Sequence, residues 1–186
     1  MALTPSSMLP LGTKAPDFNL INTVNQQSLS LNQAKKDLGL LVMFICNHCP
    51  YVKHILDGLI SLGHDYQDKG IGIVAICSND AITHPDDSPE KMHQLAKEKH
   101  FPFPYLHDES QQTASAYHAE CTPDFFLFDH NLYCVYRGQF DGARPGNTIP
   151  VTGQDLRMVM DALLGNNPIS TEQKPSIGCN IKWKAE

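Results

Sequence analysis

The chain has 186 residues, 41% of them apolar, and a formal net charge of −6. That size lets one hydrophobic core hold most of the chain, and an acidic balance without any basic cluster argues against nucleic acid or an anionic membrane surface as partner. No stretch approaches the roughly 20 apolar residues of a membrane span, and the start Met-Ala-Leu-Thr-Pro-Ser-Ser-Met-Leu-Pro has neither the basic nor the apolar segment of a secretory signal. A cytoplasmic protein with mostly reduced cysteines is therefore expected.

In chain order, residues 1–12 read as a loose lead-in rich in Ser, Pro and Gly. Ala15 to Leu20 and Ser28 to Ser30 read as two short strands joined by a polar turn, followed by a linking turn over Asn32 to Asp37. Leu40 to Ile45 is an unbroken apolar run, the pattern of a strand buried on both faces. Pro50 then suits a first helical turn, and apolar residues at 52, 55, 56, 59, 63 and 66 have the spacing of a helix packed along one face. Gly70 ends that helix, and Ile71 to Ile76 forms a second buried strand, parallel to the first because a helix connects them.

After a Pro- and Asp-rich loop, 81–87, Ser88 caps a helix with Pro89 at its first position and Met92, Leu95 and Ala96 on its buried face. Phe103 to Leu106 reads as a short strand, and Ser110 as the cap of a short helix through Tyr117. Cys121 to Phe128 reads as a strand entered through Pro123, paired across Asp129 to Asn131 with Leu132 to Arg137 in an antiparallel hairpin. Thr152 with Asp155 resembles a capping pair for a last helix that Gly165 stops. The expected organisation is a single domain over 1–186, with its core at 10–164 and a non-helical tail, 165–186, whose apolar end docks on the body.

Cys46 and Cys49 straddle the junction between the first buried strand and its helix. Residues three apart at a helix start are separated by roughly 4.5 Å of axial rise, within the roughly 4.4–6.8 Å between Cα atoms that a disulfide needs. The pair can therefore close without moving the backbone. A thiol beside the unpaired N–H groups and positive dipole end of a helix is stabilised as a thiolate, which makes Cys46 the expected nucleophile and Cys49 the resolving thiol. Half of a zinc site is the competing reading, but a closed structural site wants four ligands and the sequence offers no second close Cys or His pair. His48 is either a solvated helix-start histidine or a donor that further stabilises the Cys46 thiolate. Cys77 and Cys134, inside strand patterns, read as small core residues.

Taken together, Ala15-Pro-Asp-Phe18, Cys46-Asn-His-Cys49-Pro50 between a buried strand and an amphipathic helix, Thr122-Pro123 before a late apolar strand, and a hairpin followed by a terminal helix resemble the thioredoxin superfamily on its peroxiredoxin-like branch. The resemblance spans Pro10 to Leu164. It implies an α/β fold with a central mixed sheet flanked by helices and an N-terminal β-hairpin extension. It also implies a Cys46/Cys49 dithiol–disulfide couple with Pro123 in cis beside it, so that Thr122 borders the reactive sulfur. Peroxiredoxins carry an arginine late in the fold, and Arg137 lies in the comparable hairpin strand, though an exposed strand arginine reads as well. Aligning Cys49-Pro50 with the peroxiredoxin cysteine and proline puts Cys46 where that family has threonine.

Three function classes follow. The first is a thiol–disulfide oxidoreductase acting on protein or small-molecule disulfides and thiols, in redox homeostasis or antioxidant defence. The second is a thiol peroxidase that reduces hydroperoxides, and the third a protein using the pair as a metal-binding or redox-sensing clamp. The oxidoreductase needs no cofactor and no resident metal. Cys121 and Cys179 are either small fillers or a third thiol that trades disulfides with the pair.

Overall fold

The computed structural model describes residues 3–185. Its elements begin with β1 (Leu3–Pro5), β2 (Asn19–Asn22), β3 (Ser28–Ser30) and a four-residue helix, α1 (Leu31–Ala34). The central unit follows as β4 (Gly39–Phe44), α2 (Pro50–Tyr66) and β5 (Ile71–Cys77). Next come α3 (Pro89–Glu98), β6 (Tyr105–His107) and α4 (Gln112–Ala116). The chain closes with β7 (Cys121–Thr122), β8 (Asp124–Asp129), β9 (Cys134–Gly138), α5 (Gln154–Leu164) and β10 (Ile177–Asn180).

A seven-stranded mixed sheet runs β3-β2-β6-β5-β4-β8-β9. β5 pairs parallel with both β4 and β6, and the remaining pairs are antiparallel. β4 sits deep in it. All six of its residues are buried, and they alternate between two apolar clusters: Leu41 and Met43 join Val52, Leu59, Leu62, Leu156 and Met160 on one face, while Leu40, Val42 and Phe44 join Leu31, Ala114, Tyr117 and Phe126 on the other. A strand covered on both sides needs apolar residues at every position, which is why this run shows no alternation in the sequence. The expected mixed sheet flanked by helices is present, and the expected N-terminal hairpin, β2–β3, extends it through β6. Among the described residues no helix is long and apolar enough to cross a membrane.

The structure differs from the sequence reading at the ends and at several caps. The lead-in is not loose over its described part, since β1 pairs with β10, and β10 with β7, in a separate three-stranded sheet; residues 1 and 2 lie outside the described residues. The stretch from Ala15 becomes regular only at Asn19, and Asn32 to Asp37 is in part helical because Ser30 and Gln33 form a capping box. The short strand β6 lies at 105–107 rather than at 103–106. Cys121 to Phe128 is two strands, broken at Pro123, which has no N–H for a ladder.

Two helix starts are capped from a distance. The cap of α5 is Gly153 in the left-handed region at φ +69°, not Thr152; Asp141 accepts from the Thr152 and Gly153 N–H groups at 2.8 and 2.6 Å, and Asp155 instead accepts from Gln139 at 2.6 Å. At α4, the cap is Gln111 rather than Ser110. The first-turn N–H groups of Thr113 and Ala114 donate to the buried carboxylate of Asp108 at 3.4 and 2.9 Å, and Ser78 adds its hydroxyl at 2.8 Å. Asp108→Ala is therefore expected to cost roughly 1.5–3 kcal/mol in urea unfolding, whereas Ser110→Ala stays within about 0.5 kcal/mol. Equal costs for the two would refute the assignment of Asp108 as the cap.

Candidate active site

β4 carries the chain to Ile45, whose N–H donates to Ile76 O at 3.0 Å, so the sheet extends one bond past the strand and Cys46 leaves its end buried. The helix begins at Pro50, with Cys49 as its N-cap in an extended conformation. The sequence expectation had put the first cysteine beside the open helix turn. The structure puts the second one there, because Pro50 is already the first helical residue.

Between the cysteines, Asn47 and His48 are held by a residue that no sequence pattern singles out. The carboxylate of Asp87, fully buried, accepts from Asn47 N at 2.7 Å, His48 N at 3.3 Å, His48 Nδ1 at 2.5 Å and Asn79 Nδ2 at 2.8 Å. Tyr105 donates its hydroxyl to Asn47 Oδ1 at 3.0 Å, and His48 stacks on His84 with ring centroids 5.2 Å apart. In sequence Asp87 was one of several acids in a Pro-rich loop; only the turn Pro85–Asp87 brings it under the motif. His48 is therefore neither simply solvated nor bonded to a sulfur.

Thr122, at the end of β7, meets both cysteines. Its Oγ1 lies 3.3 Å from Cys46 Sγ and its carbonyl oxygen 3.3 Å from Cys49 Sγ, and the Thr122–Pro123 peptide is cis. The tail completes the cluster: Cys179, in β10, lies opposite Thr122 in the ladder and brings its sulfur 2.7 Å from Cys49 Sγ. Cys46, Cys49, Thr122, Pro123 and Cys179 are thus assembled in one place. Cys121 turns aside and bonds Pro123 O at 3.6 Å. Arg137 is not brought to the cluster; its guanidinium donates to Gln173 Oε1 at 2.7 Å. Cys77 and Cys134 are buried in β5 and β9, and burial pushes both thiols up, Cys134 to about 11.

The three sulfurs do not share protons evenly. Donation from the Cys46 thiol pulls Cys49 down to about 5 against the opposing effect of burial, with the Cys179 thiol and the Val52 N–H of the first helical turn adding donors. Cys46 is held well above the ordinary thiol range, first because its proton is committed to Cys49, then by burial and by the nearby Asp87 charge. Cys179 is pushed up to about 12 by burial and by its bond to Cys49. The arrangement places Cys49 at a helix N-cap with the sulfurs of Cys46 and Cys179 as neighbours and its own Sγ directed at Thr122 O and Cys179 Sγ. A metal would find a different set, Cys46, His48 and Asp87, whose ligand atoms lie within 4.8 Å of one another, although the Asp87 oxygens are already engaged.

A seven-stranded mixed sheet with flanking helices, two cysteines across its strand-to-helix junction and a cis-proline corner facing them define a thioredoxin-like protein. More narrowly, the chain belongs to the AhpC/TSA family, whose model matches residues 11–136. It is 53% identical to an uncharacterized conserved protein from Geobacillus kaustophilus, with 100% of this chain and 98% of that one covered and a TM-score of 0.98. A hypothetical protein from Sinorhizobium meliloti 1021 is 47% identical over 98% of this chain and 100% of its own, with a TM-score of 0.96. The thioredoxin domain of a thiol-disulfide oxidoreductase from Bacteroides vulgatus, 19% identical over 81% of this chain and 98% of its own, shares the fold with a TM-score of 0.62. Among curated proteins nothing matches the chain.

Directly after Pro123, Asp124 is completely buried and its Oδ2 has no hydrogen-bond partner among the described residues. Burial pushes its pKa from 3.8 up to about 8. A carboxyl raised in this way binds its proton more tightly folded than unfolded between those values, so its contribution to stability is full at low pH and is lost as pH rises through about 8. Urea midpoints should fall between about pH 5 and about pH 8.5 in the wild type, and that slope should shrink in Asp124→Asn. An unchanged slope in the variant would exclude Asp124 as its source.

Proposed function

We propose that the protein is a thiol–disulfide oxidoreductase that works through a Cys46/Cys49 dithiol–disulfide couple on protein or small-molecule disulfides. The observation that carries this reading is the convergence of both sulfurs, each 3.3 Å from an atom of Thr122, beside the cis-proline corner. The position of Cys49 at the helix N-cap, where its thiol is lowered to about 5, reverses the order expected from the motif. Cys49, the N-cap beside the open first turn of α2, is the attacking thiolate, and Cys46 is the resolving thiol. In this cycle the Cys49 thiolate displaces one sulfur of a substrate disulfide, and Cys46 then attacks Cys49 Sγ, closing the couple and releasing the second substrate thiol. Asp87 acts as a positioning residue, because its bonds to the Asn47 and His48 N–H groups fix the turn that sets the two sulfurs at this spacing.

A thiol peroxidase is the second reading, favoured by family membership and by an acidic Cys49 followed directly by a helix-starting proline. Cys49 would then pass through sulfenic acid, resolved by Cys46.

Ultraviolet titration of the thiolate should show a step near 5 in the reduced wild type that disappears in Cys49→Ser and survives in Cys46→Ser, whose hydroxyl can still donate. Loss of that step in Cys46→Ser alone would restore Cys46 as the nucleophile. With a protein disulfide such as insulin and a dithiol reductant, Cys49→Ser should abolish turnover, and Cys46→Ser should lower it by about tenfold or more because the Cys46–Cys49 bond that the reductant reopens cannot form. Full hydroperoxide consumption without disulfide turnover would replace the first reading with the second.

A further inference from the structure

The thiol cluster contains a member that a two-cysteine cycle does not use. Cys179 stands 130 positions from Cys49 in sequence, yet its sulfur lies 2.7 Å from Cys49 Sγ, against about 2.05 Å in a disulfide. The strand that carries it is tied down on both sides of the cluster. Cys179 pairs with Thr122 and Asn180 with Cys121 in β7, while β1 covers the other edge of β10. Before it, the Ser176 hydroxyl donates to Pro123 O at 2.5 Å; after it, Ile181 N donates to Glu120 O at 3.0 Å, and Asp80 N to Lys182 O at 2.8 Å.

Gly178 shows how closely the tail approaches. A Cβ there would stand 1.9 Å from the carbonyl oxygen of Thr122, so no side chain fits between β10 and the proline corner. The backbone edge of Thr122 is where an extended peptide would add a strand to bring its own sulfur to Cys49. β10 already occupies that edge, and it places a cysteine at the position where such a peptide would present one.

We infer that Cys179 is a third redox thiol, a resolving partner of Cys49 carried on a tail strand that holds the place of an extended protein substrate. The inference rests on Cys46 and Cys49 acting as a redox couple. Once the Cys49 thiolate has attacked a substrate disulfide, one substrate sulfur leaves as thiolate and takes a proton from solvent, and Cys49 is joined to the other. Cys179 then attacks Cys49 Sγ: a Cys49–Cys179 bond forms, the Cys49–substrate bond breaks, and the proton of Cys179 passes to the departing sulfur. The substrate disulfide has gained two electrons and become two thiols, and Cys49 and Cys179 have lost two. Attack by Cys46 on Cys49 Sγ next forms the Cys46–Cys49 bond and breaks Cys49–Cys179, and the proton of the Cys46 thiol passes to the departing Cys179 sulfur, with no net oxidation. The relay moves the oxidising equivalent from the tail strand to a pair fixed by β4 and α2.

The test uses full-length Cys46→Ser, reduced and then treated with one equivalent of diamide, a two-electron thiol oxidant, quenched in acid and mapped by peptide mass analysis. A Cys49–Cys179 disulfide is expected, and its absence, with only Cys49-linked dimers and an alkylatable Cys179, overturns the inference. As a second measurement, Cys46→Ser carrying a glutathione mixed disulfide on Cys49 should release glutathione on its own, and the Cys46→Ser/Cys179→Ser protein should do so at least about tenfold more slowly. Equal release from the two proteins counts against a resolving role for Cys179. The wild type oxidised in parallel separates the two readings: a Cys46–Cys49 bond there with no Cys49–Cys179 bond in Cys46→Ser removes the relay and leaves the couple, whereas failure of the wild type to form Cys46–Cys49 removes the couple itself.

Discussion

The pairing of β10 with β7 is the contact on which the three-sulfur cluster depends. It closes over the strand-to-helix junction, buries Cys46 and Cys49, and supplies the third sulfur of the cluster. Burial alone would raise every thiol there. What separates them is the placing of donors, because the open first turn of α2 and two neighbouring thiols all face Cys49 and leave it the favoured seat of negative charge. A helix N-terminus can hold one anion well. Cys46, facing the Asp87 side, keeps its proton.

The second constraint is the Asp87 carboxylate, which does for the Asn47-His48 turn what a strand ladder does for β4. Two consecutive backbone N–H groups would otherwise point into protein without partners, at a cost of about 1–3 kcal/mol each. Asp87 satisfies both, and the imidazole of His48 and the amide of Asn79 hold it in turn. The spacing of the two cysteines is therefore set by a loop forty residues downstream as well as by the motif itself. Asp108 and Asp141 act in the same manner at the starts of α4 and α5. Distant carboxylates cap open backbone throughout this fold, a role that residue spacing along the chain does not reveal.

The parts legible in the sequence were those set by local periodicity and composition. The unbroken apolar runs of β4 and β5 could only be strands covered on both faces, and the 3.6-residue spacing of α2, α3 and α5 fixed their buried sides. Pro50 and Pro89, each fixed in φ and lacking an N–H, marked helix starts to the residue. The motif itself placed Cys46 and Cys49 at the junction. Near the ends, where strands are three or four residues long and their pairing partners lie at the opposite terminus, the sequence carried no comparable signal: Leu3 to Pro5 shows no pattern that calls for Ile177 to Asn180.

By itself, then, the sequence determined an α/β core and a pair of thiols at a strand-to-helix junction, because both follow from residues close together in the chain. Tertiary structure alone decided that Asp87 rather than a nearby residue holds the turn, that Arg137 faces Gln173 and not the sulfurs, and that Cys179 arrives against Cys49. Each of these depends on the meeting of segments from 36 to 130 residues apart. Long-range pairing is fixed by the packing of whole elements, and no local preference encodes it.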